Sequence, residues 1–158
     1  MLRELRVWLR LSDSTNIVPL LGFARVGSIS PLPALVSKWM PSGTLYVYLD
    51  KETLPASAKV KLVKGVAEGL NDLHSQNVVH GDLHPGNVLI DGSGNPCLTD
   101  FGLATVVGDS ELQLTTTTAA GNFNSRWRAP EVIGIDCDPG RPNFKSDIYS
   151  FGGVMFFV

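Results

Sequence analysis

Apolar and polar residues alternate at helical spacing from the first positions of the chain. Leu2, Leu5, Trp8/Leu9 and Leu11 recur with Arg3, Glu4, Arg6 and Arg10 between them. This predicts an amphipathic helix that ends in the turn-rich cluster Ser12-Asp13-Ser14-Thr15-Asn16. Ile17 to Phe23 then reads as a strand, with Pro19 marking an edge or a bulge. Residues 27–33 read as loop. Leu35 to Met40 reads as a second strand, stopped by Pro41-Ser42-Gly43 and forming a hairpin with the first beside the helix. Thr44 to Leu49 starts a short helix. Pro55 fits the first turn of a longer one. From there Val60, Val63, Val66/Ala67, Leu70 and Leu73 form one stripe, with Lys59, Lys61, Lys64, Glu68 and Asp72 away from it. A helix of about twenty residues is expected here.

Helical periodicity stops at His80-Gly81-Asp82-Leu83-His84-Pro85-Gly86-Asn87. Pro85 lacks an N–H and Gly86 is unfavourable inside regular structure, so this stretch is a loop. Val88-Leu89-Ile90 and Cys97-Leu98-Thr99 flank Asp91 to Asn95, a short hairpin signal. Residues 103–128 show little periodicity, and a loop of that length is expected to be functional. Ser146 to Gly152 starts a last helix, with Ser146 or Asp147 as its cap. The apolar run from Tyr149 to Val158 and the helical start suggest a piece cut from a longer fold, whose last helix exposes apolar surface.

Composition narrows the class. With 44% apolar and 18% charged residues, the 158-residue chain reads as globular. A net charge of −2 argues against a general nucleic-acid or membrane-surface binder. No apolar run approaches membrane-spanning length, and the start lacks a signal-peptide layout. Cys97 and Cys137 lack metal-ligand spacing, so free thiols in a reducing, intracellular compartment are expected ahead of a disulfide.

The chemistry concentrates on Asp82, Asn87 and Asp100. The hairpin brings Asn87 and Asp100 to one end, beside the loop that carries Asp82. Two oxygen donors there suit Mg²⁺, and one carboxylate is left to handle a proton. Taken singly, each residue reads more readily as an ordinary loop cap. His80 and His74 read as packed structural residues.

His80-Gly81-Asp82 with Asn87 resembles the catalytic loop of protein kinases, H-R-D-x-x-x-x-N. Asp100-Phe101-Gly102 resembles their D-F-G and Ala129-Pro130-Glu131 their A-P-E. Ser146-Asp147-Ile148-Tyr149-Ser150-Phe151-Gly152 resembles the S-D-V-W-S-F-G helix start, and Ser125 to Glu131 leans toward the tyrosine-kinase-like group. The resemblance spans essentially the whole chain. It implies a partial two-lobed α+β kinase fold: a small strand-rich N-lobe remnant and hinge over residues 1–40, and a mainly helical C-lobe over 41–158 without its last helices.

The resemblance also implies roles. Asp82 is the base for a protein hydroxyl. Asn87 and Asp100 hold Mg²⁺ on ATP. Lys38 and Met40 lie in the hinge that binds adenine, with Ser37 as gatekeeper and Leu89 beneath the ring. Glu4 stands where a helix Glu pairs with a strand lysine. His80, Glu131 and Asp147 are structural or regulatory, and Asp147 braces the catalytic loop. Residues 103–128 are the activation segment, with Thr115, Thr116, Thr117 and Thr118 as candidate phosphosites.

Some positions depart from the pattern. Gly81 replaces the usual Arg, which removes its pairing with a phosphorylated segment. His84 replaces the Lys of serine/threonine kinases, so specificity for Ser/Thr is only a lean. No glycine-rich loop and no strand lysine precede Glu4, and little or no kinase activity is expected of the chain alone. A pseudokinase-like binding fragment is the alternative. A small-molecule phosphotransferase related to aminoglycoside and choline kinases ranks third, because those lack the Ala-Pro-Glu and Ser-Asp-Ile-Tyr-Ser-Phe-Gly signatures.

Overall fold

The computed structural model describes residues 2–11, 14–25, 34–108, 125–135 and 138–158. The helices are α1 (Leu2–Arg10), α2 (Leu45–Lys51), α3 (Ala56–Ser75), α4 (Pro130–Ile133) and α5 (Phe144–Phe157). The strands are β1 (Leu20–Ala24), β2 (Ala34–Ser37), β3 (Val78–Val79), β4 (Val88–Ile90), β5 (Pro96–Leu98) and β6 (Thr105–Val106). They form antiparallel pairs, β1 with β2, β3 with β6 and β4 with β5. Helices and small antiparallel sheets together make the α+β arrangement that the kinase resemblance implies.

The first predicted strand is split. The β1–β2 ladder begins at Leu20↔Ser37 and contains a bulge before Gly22↔Val36. Ile17 and Val18 belong elsewhere: Leu98 donates to the Asn16 carbonyl at 2.8 Å, and Val18 donates to the Leu98 carbonyl at 2.9 Å. Pro19, which has no N–H to give a ladder, sits at the break. The second strand ends at Ser37 rather than Met40, and Lys38 to Met40 form an extended connection to α2.

The α1 stripe is also shifted. Val7, Trp8 and Leu11 are buried, whereas Leu9 is exposed. Trp8 is pinned by its indole N–H on the Val18 carbonyl at 2.6 Å and by an edge-on contact with Phe101, 5.7 Å between centroids. In α3 the buried face is Leu62, Gly65, Val66, Gly69, Leu70 and Leu73. Val60, expected to start the stripe, is exposed. The two glycines explain the rotation of the face. A Cβ at Gly65 would lie 2.6 Å from Pro96 Cγ, and one at Gly69 would lie 2.8 Å from the Asn16 carbonyl oxygen. Helix propensity is given up at both places so that the β4–β5 hairpin and the Asn16 strand can press against α3.

The hairpin turn is organised by Asp91. Its Oδ1 accepts from the N–H groups of Ser93 and Asn95, both at 2.8 Å. Burial pushes this carboxyl's pKa up, but the Asn95 and Ser93 donors outweigh it and hold it below the ordinary range.

α5 starts one turn earlier than expected. Asn143 caps it by accepting from Lys145 and Ser146, and the Ser146 hydroxyl accepts from the Asn143 N–H in a reciprocal capping box. Neither Ser146 nor Asp147 is the cap. Asp147 is buried and serves the catalytic loop instead. The outer face of α5 exposes Ile148, Tyr149, Met155 and Phe156, as its apolar pattern predicts. One continuous core runs from Val7 and Trp8 through Leu70, Leu73 and Phe101 to Val154. Among the described residues no helix is long and apolar enough to cross a membrane. Cys97 is a free, buried thiol whose pKa burial raises to about 11, so it is unreactive. Cys137 lies outside the described residues.

Candidate active site

The loop from His80 to Asn87 is held from three sides. From α5, Asp147 Oδ2 accepts the His80 N–H at 2.8 Å and Asp147 Oδ1 accepts the Gly81 N–H at 2.9 Å. His74, in the last turn of α3, reaches the same Oδ2 through Nε2 at 2.9 Å. A carboxylate only 1% exposed thus has three polar partners, which is what a buried charge requires. His74 also packs edge-on against Phe144, with centroids 4.8 Å apart. The expectation of a merely packed His74 misses its hydrogen bond. The spacing of His74 and Asp147 in the sequence carries no hint of it.

His80 is the second anchor. It is fully buried, and its ring stacks at a tilt near Phe101, 5.7 Å away. Nδ1 accepts the Asp82 N–H at 3.3 Å, so the ring proton is on Nε2, which meets the Thr99 carbonyl at 3.2 Å. The residue is structural, as expected, and it ties the loop to the turn that carries Asp100.

The third anchor is the β4–β5 ladder. Val88 pairs with Leu98, and Thr99 donates to the Asn87 carbonyl at 3.0 Å. Asn87 is nearly buried and gives its side-chain N–H to the Asp82 carbonyl at 2.9 Å. Its amide oxygen is the atom left for a cation. Asp100, one residue past Thr99, is exposed and left-handed (φ 63°), with Oδ1 accepting from Gly102 at 3.4 Å. Phe101 below it is fully buried and anchors the turn. Asp82, Asn87 and Asp100 therefore share one end of the hairpin. An amide oxygen and a carboxylate are hard donors that fit Mg²⁺. Among the described residues no group of three or more His, Cys, Asp or Glu side chains converges on a metal position.

Gly81 does more than omit an arginine. Its φ is +78°, and a Cβ would lie 3.0 Å from the Leu103 carbonyl oxygen. The loop's path is built around a residue without a side chain.

Two cation-capable residues face Asp82. Arg128 Nη2 meets Oδ1 at 3.0 Å. His84 Nε2 lies 3.8 Å from Oδ2. Burial lowers the His84 pKa more than Asp82 raises it, so this contact is not an ion pair at neutral pH. His84 instead accepts the Gly86 N–H on Nδ1 at 3.0 Å, shaping the turn. Arg128 enters the sequence reading only inside a motif stretch, and nothing in its spacing marks it as a partner of Asp82.

The remaining residues lie around this centre. Lys38 donates its N–H to the Pro19 carbonyl at 2.9 Å, and Met40 gives its carbonyl to Gly43 at 3.2 Å. The Lys38 N–H and the Met40 carbonyl are thus both engaged within the chain. Leu89 is half-buried and bridges to Thr44. Glu4, on α1, has a raised pKa, first through burial and then through the charge of Asp100. Glu131 is exposed on α4, and its carbonyl accepts from Gly140 at 2.8 Å. Thr115, Thr116, Thr117 and Thr118 lie outside the described residues.

Asp82, Asn87 and Asp100 thus lie around one hairpin end, and Asp147 braces the neighbouring loop backbone at His80 and Gly81. The sequence profile of the family described as protein tyrosine and serine/threonine kinase matches residues 1–158. The chain belongs to that family. It is similar to the probable L-type lectin-domain containing receptor kinase V.3 of Arabidopsis thaliana, at 38% identity over 90% of this chain and 21% of the relative. It is also similar to the probable serine/threonine-protein kinase PBL4 of the same plant, at 35% identity over 89% of this chain and 33% of the relative. The rust resistance kinase Lr10 of Triticum aestivum is 33% identical over 92% of this chain and 23% of the relative. The chain thus spans between about a fifth and a third of the length of these curated relatives.

Proposed function

We propose that the chain carries the phosphotransfer centre of a serine/threonine protein kinase. The observation that carries the reading is the shared position of Asp82, Asn87 and Asp100, fixed from behind by Asp147, His80 and the β4–β5 ladder. Asp82 orients a protein hydroxyl and takes its proton as the oxygen attacks the γ-phosphorus of ATP. The bond from that phosphorus to the bridging oxygen breaks, and ADP leaves. Asn87 and Asp100 would hold Mg²⁺, which would supply charge neutralisation on the phosphates. The Lys38 carbonyl and Met40 N–H suit the polar edge of adenine, with Leu89 beneath the ring. Serine and threonine are favoured as acceptors because PBL4 bears the serine/threonine-protein kinase name. Asp147 and His80 are bracing residues, and Glu131 a structural one.

A second reading, a nucleotide-binding fragment without turnover, is favoured by Glu4. Its pKa is raised first by burial and then by the Asp100 charge.

Calorimetric titration with Mg-ATP tests both. The 158-residue chain is expected to bind, and Asp100→Asn to bind at least tenfold more weakly. Equal binding by the two, or none by the parent chain, would remove the kinase-centre reading. Phosphate transfer to Ser/Thr and Tyr peptides, with Asp82→Asn as control, separates turnover from binding alone.

A further inference from the structure

The main chain of Asp82 is fixed twice, by its N–H on His80 Nδ1 at 3.3 Å and by its carbonyl on Asn87 Nδ2 at 2.9 Å. Its side chain depends on other contacts. The permanent charge beside it is the Arg128 guanidinium, 3.0 Å from Oδ1, in a segment 46 positions later. The two side chains are only 12% and 21% exposed, so this is a partly desolvated, charge-assisted contact rather than a screened surface pair. Arg128 is itself well placed to hold a rotor still. It lies between buried Trp127 and buried Ala129. The Trp127 ring packs edge-on against Phe157 at 5.8 Å and Tyr46 at 6.3 Å. The Ala129 carbonyl accepts from Val132 and Ile133 and starts α4. The guanidinium is therefore delivered from a backbone anchored on both sides.

We propose that Arg128 is a positioning residue for phosphoryl transfer: it pins Asp82 through Oδ1 and leaves Oδ2 as the oxygen presented to the acceptor hydroxyl. The proposal rests on the kinase reading above and adds to it. His84 cannot do this work at neutral pH, because its buried imidazole is neutral there and stands 3.8 Å from Oδ2. The pair also makes Asp82 geometry depend on the segment around residues 125–131. An ordered base then requires an ordered Ser125–Glu131 stretch.

The test reads the rotamer of Asp82 directly. In the isotope-labelled 158-residue chain, three-bond couplings about χ1 of Asp82 are expected to show a single rotamer. In Arg128→Met they are expected to collapse to averaged, intermediate values, and in Arg128→Lys to return most of the way. His84→Gln should leave them unchanged. Should Arg128→Met fail to fold, Arg128→Gln carries the same expectation, since it keeps a donor and loses the charge. A single-rotamer pattern surviving in the uncharged variants would overturn the proposal, as would equal loosening in Arg128→Lys and Arg128→Met. A contact that served stability alone would lower the melting temperature without changing these couplings. Mg-ATP binding should stay within twofold in every variant, because the Arg128 contact is with Asp82, which is not one of the proposed Mg²⁺ donors. A parent chain that binds no Mg-ATP would overturn the kinase reading while the couplings still decide the role of Arg128.

Discussion

The catalytic loop and the α1–β1–β2 region solve opposite problems. In the loop nearly every polar group has a partner: Asp147 takes three donors, His80 uses both ring nitrogens, and Asn87 bonds through side chain and main chain. Around α1 and the first sheet, Glu4 senses Asp100 across the site, and Leu21, Phe23, Val36 and Trp39 expose apolar surface. Asp82 and Asn87, the proposed base and metal donor, thus sit in a locally satisfied network. The α1–β1–β2 side carries a carboxyl of raised pKa and exposed apolar area. The difference separates what the loop can do alone, which is to hold geometry, from what must come from further contacts.

The sharpest way to break the comparison is to remove the brace. Asp147→Ala leaves the buried His80 and Gly81 N–H groups and the His74 ring without their acceptor. Breaking such a buried, charged contact costs about 3–5 kcal/mol. Urea unfolding of the chain should show a correspondingly lower midpoint, and Mg-ATP binding should weaken with it. Asp147→Asn, which keeps one acceptor oxygen, should fall between. A loss below about 1 kcal/mol for the alanine variant, the level of one ordinary hydrogen bond, would mean the loop is held elsewhere.

Gly81→Ala comes next. The substitution forces an L side chain to φ +78° and brings its Cβ within 3.0 Å of the Leu103 oxygen. The conformational penalty alone is roughly 1–2 kcal/mol. Restoring the family's Arg at this position should therefore lower thermal stability rather than raise it. A Gly81→Arg variant as stable as the parent would show that the loop relaxes freely.

The outcome at Gly81 illustrates what could be read beforehand. The hairpin, the long α3 and the grouping of Asp82, Asn87 and Asp100 follow from local pattern: period-two runs, period-3.6 stripes and turn residues at short range. What pattern does not carry is long-range partnership. The Asp147 clamp, the Arg128–Asp82 pair and the return of Ile17 and Val18 to Leu98 join residues far apart in the chain. Asp147 is a case in point. As an Asp near a helix start it reads as a cap, a place that Asn143 takes instead; its brace on the loop follows from the kinase resemblance and not from its spacing. The hydrophobic pattern does not set a buried face where space decides: Gly65 and Gly69 turn α3 toward the hairpin and leave Val60 outside.

His84 supplies a pH test of the loop. Burial lowers its pKa below the ordinary 6.5, so the unfolded chain binds the proton more readily than the folded one. Stability from this group is present above that ordinary value and is lost as pH falls through the window beneath it. His84→Gln should flatten the fall of melting temperature below about pH 6.5. An unchanged pH profile would sink this assignment.

The smallest effect belongs to the other region and has the opposite sign. Glu4 has a pKa raised above its ordinary 4.5, by burial first and by Asp100 second. The folded chain therefore holds this proton to higher pH than the unfolded chain does. The stability it contributes is fully present below about pH 4.5 and is lost as pH rises through the folded value. Glu4→Gln removes the charge that Asp100 repels, so it should stabilise the chain at pH 7. The gain should be roughly 1 kcal/mol or less, the range of partly exposed charge interactions. The two melting curves should converge as the pH falls well below 4.5, where Glu4 is protonated in both states. A Glu4→Gln variant less stable than the parent at pH 7 would mean that Glu4 already has a cationic partner in the folded chain. In that case the two regions would be equally satisfied, and the contrast between them would disappear.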